Sequence, residues 1–270
     1  MRVAFQGEAG AYSEQALLGH FGQVDTLPCE SFEAVFETVN AGACESAMIP
    51  IENSLAGSIH QNYDLLLRNE LQIVGEHFLR VRHCLIAIPG VDMRDILKAI
   101  SHPQALGQCA GYLRSHGIQA EQAYDTAGSV KLLKESGARD TAAIASRRAA
   151  ELNGMQILAE GIEDNPENFT RFLAIQREPQ AFRGEAKTSI VFTLKNLPGA
   201  LFKAMSVFAL RDIDLTKIES RPLQGSPWEY LFYIDFVGAT QEDTVRRSLD
   251  HLREYATMLR VLGSYPRFRG

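Results

Sequence analysis

A chain of 270 residues, 46% hydrophobic and 22% charged, holds enough apolar material for about two domains. Its net charge of -6 argues against a nucleic-acid partner, because phosphate binding requires a clustered basic face. No apolar run approaches the ~18 residues that a membrane span needs, so no membrane partner is expected.

Cys29, Cys44, Cys84 and Cys109 form no C-x-x-C pair and have no zinc-ligand spacing, and they read as reduced thiols. The start, Met1 to Gly7, enters a strand without an apolar leader core. The expectation from both is a cytoplasmic protein.

Val3 to Phe5 reads as a strand, and Ser13 as the N-cap of a helix through Leu18. Ala47 to Ile51 is a buried strand ending in Glu52-Asn53-Ser54, and Leu85 to Ile88 another, stopped by Pro89. Asp95 to Ile100 reads as a helix leading into the turn Ser101-His102-Pro103. Helices follow over Gly107 to Ser115 and Gly128 to Glu135, a strand over Ala142 to Ala145, a helix over Arg147 to Leu152 and a strand over Phe169 to Ile175. This alternation predicts α/β layering on a mostly parallel sheet. The polar, aperiodic stretch Arg177 to Glu185 reads as a linker, which sets a first domain at 1–180 and a second at 187–270.

The second domain has another rhythm. Thr188 to Leu194 is a strand, and Pro198-Gly199 opens a helix whose Leu201, Ala204, Met205 and Phe208 form one apolar stripe. Leu215 to Ile218 is a strand, joined through a Gly225-Ser226-Pro227 turn to an alternating strand over Tyr230 to Val237. Val245, Leu249 and Leu252 mark a helix, and Met258 to Leu262 a last strand. The order β-α-β-β-α-β is ferredoxin-like.

Four polar turns sit at ends of apolar runs, where open α/β sheets gather ligands. Gly7 to Ser13 suits an anion at a helix start, but it lacks the third glycine of a dinucleotide loop and the Gly-Lys-Ser/Thr of a phosphate loop. Glu52-Asn53-Ser54 with Gly57 offers neutral hydrogen bonds, or merely caps the next helix. Ser101-His102-Pro103-Gln104 with Gln108 opens another helix, with Ser101 placed to cap it and His102 read either as an acid-base candidate or as a backbone-bonded turn histidine. Asn168-Phe169-Thr170-Arg171-Phe172 delivers Thr-Arg to the start of a strand; Arg171 needs a partner if buried, and a substrate carboxylate would provide one. In a regular strand Thr170 and Arg171 face opposite sides, so one site takes both only if the backbone is irregular or the strand crosses a cleft. No histidine pattern suits a metal, no serine elbow is present, and no cofactor is called for.

These four segments, in this order, resemble the prephenate dehydratase family, and the C-terminal module resembles the ACT regulatory domain through Gly199-Ala200-Leu201 and Glu219-Ser220-Arg221-Pro222. The resemblance implies a bilobal catalytic domain of the type II periplasmic-binding-protein kind, with its site in the cleft, and a ferredoxin-like ACT domain. It implies conversion of prephenate to phenylpyruvate with loss of carbon dioxide and water, in phenylalanine biosynthesis. Carried over by motif, Thr170 leads the catalytic set, with Arg171, Asn53, Ser101, Gln108 and Glu52; Asp125 matches a further acidic position. Ser13, Ser54, Gln104 and Phe172 are expected at the substrate. Phenylalanine is expected at Gly199, Ala200, Leu201, Glu219, Ser220, Arg221 and Pro222, and a homodimer or homotetramer as the assembly. Aromatisation drives the reaction, so no electron-sink cofactor is needed. Two rivals stand beside this reading: an arogenate dehydratase, and an inactive amino-acid-binding regulator on the same fold.

Overall fold

The computed structural model describes residues 1–223 and 229–268, so the Gly225-Ser226-Pro227 turn lies outside the described residues. The chain divides into two compact units, Met1–Tyr63 with His77–Phe172, and Asp64–Glu76 with Leu173–Gly270.

The first elements are β1 (Arg2–Gln6), α1 (Tyr12–Phe21), β2 (Asp25–Cys29), α2 (Phe32–Asn40), β3 (Ser46–Asn53), β4 (Gly57–Ser58), α3 (His60–Arg68) and β5 (Gln72–Arg80). β1 pairs in parallel with β2 and β3. Val3, Ala4 and Phe5, like Ala47, Met48 and Ile49, are fully buried, which is why these strands read as apolar runs rather than alternations. Ser31 caps α2 by accepting the Ala34 N–H, and the helix buries Val35, Phe36 and Val39.

Helix α1 departs from its expected start. Its N-cap is Ala11, and Ser13 lies inside the helix, buried. Gly10 supplies the turn, at φ +93°, and a Cβ there would sit 2.6 Å from Ala149 Cα. The Gly10 N–H donates to the Glu14 carboxylate at 2.8 Å, so a glutamate closes this helix entry rather than a serine.

Next come β6 (Cys84–Ala87), a 3₁₀ turn (Met93–Asp95), β7 (Lys98–Ser101), α4 (Pro103–Gln108), α5 (Ala110–Ser115), β8 (Gln119–Gln122), α6 (Thr126–Ser136), β9 (Thr141–Ala145), α7 (Arg147–Asn153), β10 (Gln156–Glu160) and β11 (Phe169–Gln176). The second sheet has the order β10-β6-β9-β7-β8. The first has β2-β1-β3-β11-β5, with β4 on β3, so β11 returns to it late in the chain.

Three expectations are corrected here. The helix over Asp95 to Ile100 is a single 3₁₀ turn followed by β7. Asp92 and Asp95 cap that one turn reciprocally, and Lys98, Ala99 and Ile100 pair in parallel with Thr141, Ala142 and Ala143. Six residues are too few for apolar spacing to separate helix from strand. The helix over Gly107 to Ser115 is two short helices meeting at Cys109. The sheets are mixed rather than mostly parallel, since β6 runs antiparallel to both β9 and β10.

The second unit carries β12 (Ala186–Leu194), α8 (Ala200–Ala209), β13 (Leu215–Pro222), β14 (Tyr230–Val237), α9 (Asp243–Tyr255) and β15 (Ala256–Pro266). Its antiparallel sheet has the order β13-β14-β12-β15, the ferredoxin-like arrangement. Ile190, Phe192, Phe208, Ile234, Phe236 and Leu252 form its centre, all fully buried. Residues 64–76 belong to this unit as well. Arg260 Nη1 donates to the Leu67 carbonyl at 3.0 Å, Arg221 pairs with Asp64 at 2.6 Å, and Lys187 Nζ meets Glu76 at 2.8 Å.

Candidate active site

A cavity of about 600 Å³ lies within the first unit. Strand ends and the turns after them build its wall: Gly7 after β1, Asn53 closing β3, His102 after β7, Tyr124 after β8 and Thr170 opening β11. Ligands in open α/β sheets collect at such places.

Asn53 is the pivot. Its Oδ1 accepts the N–H groups of Leu55 (3.1 Å) and Ala56 (2.9 Å), which fixes the orientation of the amide. Its Nδ2 therefore faces β11, where it donates to Asn168 Oδ1 at 2.8 Å and to Thr170 Oγ1 at 2.9 Å. Thr170 thus receives a hydrogen bond, and among the described residues no protein acceptor takes its own proton. The hydroxyl is a donor directed at the cavity that it lines.

The chain of bonds continues beyond Asn168. Its Nδ2 donates to Gln108 Oε1 at 3.0 Å, that oxygen lies 2.9 Å from His83 Nε2, and His83 Nδ1 lies 2.9 Å from the Tyr12 hydroxyl. Burial lowers the His83 pKa, outweighing the Gln108 bond and the Glu163 charge, and keeps the imidazole neutral at neutral pH. Burial, ahead of the influence of Cys84, Cys109 and Glu163, pushes the Tyr12 phenol well above its ordinary value.

The residues singled out from sequence separate into two groups. Thr170, Asn53, Gln108, Ser13, Gln104, Phe172 and Asp125 line the cavity; Arg171, Ser101, Glu52 and Ser54 are not in its wall. Arg171 is the notable case. Thr170 and Phe172 share the cavity face of β11, and the two-residue period of a strand sends Arg171 to the other side. There it is buried, with its guanidinium 5.9 Å from the centre of the Phe78 ring. Ser101 is fully buried and donates to the Ile144 carbonyl, tying β7 to β9. Ser54 links Glu167 and Phe169. His102, not Ser101, caps α4 by accepting the Gln104 N–H.

Tyr12, His83 and Asn168 had no assigned role in the sequence reading. The available signal for His83 was its position: like Thr170, it is a polar residue at the entrance of an apolar strand.

In the second unit Gly199 is the N-cap of α8 at φ +78°, with no side-chain cap. Leu197 already accepts the Ala200 N–H. Glu219, Ser220, Arg221 and Pro222 lie on β13, where Arg221 pairs with Asp64 and Glu219 lies 3.8 Å from Lys217.

Glu14 gives a testable pH dependence. Burial raises its pKa, but bonds from Arg148, the Gly10 N–H and Thr26, with the Arg148 charge, outweigh this and hold it below the ordinary carboxylate value. A lowered folded-state value adds stability that is complete above the unfolded pKa and is lost as pH falls through the folded one. Glu14→Gln is expected to cost about 1–2 kcal/mol at neutral pH, the lower part of the range for charged hydrogen bonds, because Arg148 is 36% exposed. The difference from wild type should shrink as the pH falls below the ordinary carboxylate range. Urea unfolding across that range is the measurement, and a constant difference would contradict the assignment.

Comparison with known proteins agrees with this architecture. The family model for prephenate dehydratase matches residues 3–180. The chain is 49% identical to arogenate dehydratase/prephenate dehydratase 2, chloroplastic, of Arabidopsis thaliana, over 98% of this chain and 73% of that protein. Among solved structures it is similar to GqqA, described as a novel type of quorum quenching acylase, with a TM-score of 0.92 and 38% identity over 98% of both chains. It is similar also to the prephenate dehydratase of Arthrobacter aurescens in complex with L-Phe, with a TM-score of 0.90 and 34% identity over 99% of this chain and 90% of that one. The cytoplasmic expectation is corrected by these relatives: the Arabidopsis protein is named chloroplastic, which points to a plastid rather than the cytoplasm. A family match over residues 3–180 and near-half identity over almost the whole length leave one conclusion, that this chain is a member of the prephenate dehydratase family.

Proposed function

We propose that the chain converts prephenate to phenylpyruvate, losing carbon dioxide and water, as a step of phenylalanine biosynthesis. The observation that carries this reading is the Thr170 hydroxyl, held by Asn53 as an acceptor and left to donate into the cavity. The bond from the ring to the carboxylate breaks, its electron pair enters the ring, and the hydroxyl para to it departs. Thr170 donates a hydrogen bond to that oxygen, which leaves as water once protonated.

The rest of the wall suits decarboxylation. Among the described residues it contains no Lys or Arg. A cation on the departing carboxylate would stabilise the charge that must be lost. Phe172, Ile59, Val81 and Phe32 instead offer an apolar surface. The pyruvyl carboxylate is left to neutral donors such as Ser13 and Gln108. No Ser, Thr or Cys of the wall bonds to a histidine among the described residues, so nothing here favours the acyl hydrolysis named for one structural relative.

Arogenate, with an ammonium in place of the ketone, is the second reading. Two observations favour it: the double name of the Arabidopsis relative, and the carboxylates of Glu8 and Glu30 in the wall. Steady-state turnover with each substrate tests both readings, and activity on neither would refute the proposal.

We assign regulation to the second unit, with phenylalanine at the start of α8 and along β13. The Arthrobacter relative, solved with L-Phe, supports this reading. Gly199 has open space around it, but its positive φ disfavours a β-branched side chain. Gly199→Val is expected to weaken phenylalanine inhibition about tenfold or more while uninhibited turnover stays within about twofold. Titration calorimetry showing equal affinity in both proteins would rule out this site.

A further inference from the structure

His83 is buried, lines the cavity, and takes no part in the chemistry above. Its place in the bond network nevertheless determines which way a neighbouring amide points. Backbone groups fix the polarity of this network, because an N–H can only donate. Leu55 and Ala56 N–H fix Asn53 Oδ1 as an acceptor, so Asn53 Nδ2 donates to Asn168 Oδ1. Asn168 Nδ2 must then donate to Gln108 Oε1. That oxygen is also the partner of His83 Nε2, so Nε2 must carry a hydrogen. With the ring neutral, Nδ1 has none, and the single Tyr12 hydroxyl hydrogen lies between two acceptors at 2.9 Å, the Arg82 carbonyl and Nδ1. Both lone pairs of Gln108 Oε1 are now occupied. Among the described residues, neither hydrogen of its Nε2 has a protein acceptor.

We propose that His83 is a positioning residue. As the neutral Nε2–H tautomer, set by the relay from Asn53 through Asn168, it clamps the Gln108 carbonyl so that the Gln108 NH₂ faces the substrate. The opposite tautomer would present a lone pair at Nε2 and turn the Gln108 amide around. The substrate would then meet a carbonyl oxygen, which repels a carboxylate. The tautomer therefore favours an anionic substrate without placing a charge in the wall. The titratable groups around the ring are Tyr12 on α1, Glu163, which accepts the His83 N–H, and Cys84 and Cys109. This inference rests on the proposed reaction for its kinetic consequence, but not for the tautomer.

Two measurements test it. In the first, the full-length protein carries ¹⁵N-labelled histidine, and His83→Gln identifies the resonance. His83 should show the neutral Nε2–H pattern at neutral pH and above. An Nδ1–H pattern would overturn the proposal whether or not the protein turns over prephenate or arogenate. In the second, His83→Leu should lower kcat/KM about tenfold, mainly through KM, as expected for one lost orienting hydrogen bond. His83→Gln, which keeps a donor at the same reach, should stay within about threefold. In a Gln108→Ala background, His83→Leu should have little further effect, because its action runs through Gln108. Fully additive losses, or a His83→Gln variant as impaired as His83→Leu, would refute it. Should His83→Leu fold poorly, the resonance pattern and the His83→Gln kinetics decide. A wild type inactive on both substrates would sink the reaction and leave the tautomer to the first measurement.

Discussion

Thr170→Ala is expected to reduce kcat by roughly 10²–10³-fold, the usual cost of removing one preorganised donor to charge that develops in the transition state. KM should change little, because the leaving hydroxyl is a poor acceptor in the ground state and a strong one as its bond to carbon breaks. The geometry makes the hydroxyl specific for this task. Asn53 Nδ2 lies 2.9 Å from Oγ1 and occupies its accepting side, so the proton has no competing orientation toward Asn53. Thr170→Ser keeps the oxygen and should retain most of the turnover, losing only the packing of the methyl group. Thr170→Val keeps the shape and removes the donor, while Asn53 Nδ2 retains Asn168 Oδ1 and the Phe169 carbonyl as acceptors. It should therefore resemble the alanine variant in kcat. Steady-state kinetics on prephenate and arogenate, with circular dichroism to verify folding, is the measurement. A Thr170→Ala protein within about fivefold of wild type would remove Thr170 from the reaction.

Lys187→Met is expected to destabilise the second unit by about 3–5 kcal/mol, the largest effect on stability anticipated for a single substitution here. Glu76 has no side-chain exposure and Lys187 only 7%, and Lys187 Nζ lies 2.8 Å from both carboxylate oxygens. Glu76 also accepts the Phe268 N–H at 3.1 Å. Removing the lysine takes away the ammonium that meets both oxygens of a fully buried carboxylate, which costs far more than the pair contributes to stability when intact. The double variant Glu76→Leu with Lys187→Met replaces both charges by apolar groups and should recover much of the loss. Urea unfolding gives both values, and a Lys187→Met midpoint equal to wild type would contradict the reading. The same pair bears on how regulation can be dissected. A chain ended after Glu185 also loses Lys187 and exposes residues 64–76, so a weak truncated enzyme would report damage rather than loss of control.

The sequence by itself determined those features that depend on neighbours in the chain. The βαββαβ order of the second unit was legible because each element has one apolar face with its own period, as in Leu201, Ala204 and Phe208 on α8 and the alternation along β14. The polar turns that carry Thr170, Asn53 and Gln108 were legible because each interrupts an apolar run. Tertiary structure decided the rest. Lys98 to Ser101 is a strand because Thr141 to Ala143 lie beside it, a fact no six-residue window contains. Arg171 was expected at a carboxylate, yet it shares a strand with Thr170 at odd spacing, and only the placement of β11 shows which side meets the cavity. His83 and Tyr12 are 71 residues apart, and Asn53 and Thr170 117. Hydrogen-bond polarity passes between such residues through space, and its direction is set by backbone N–H groups that exist as a reference only once the chain has folded.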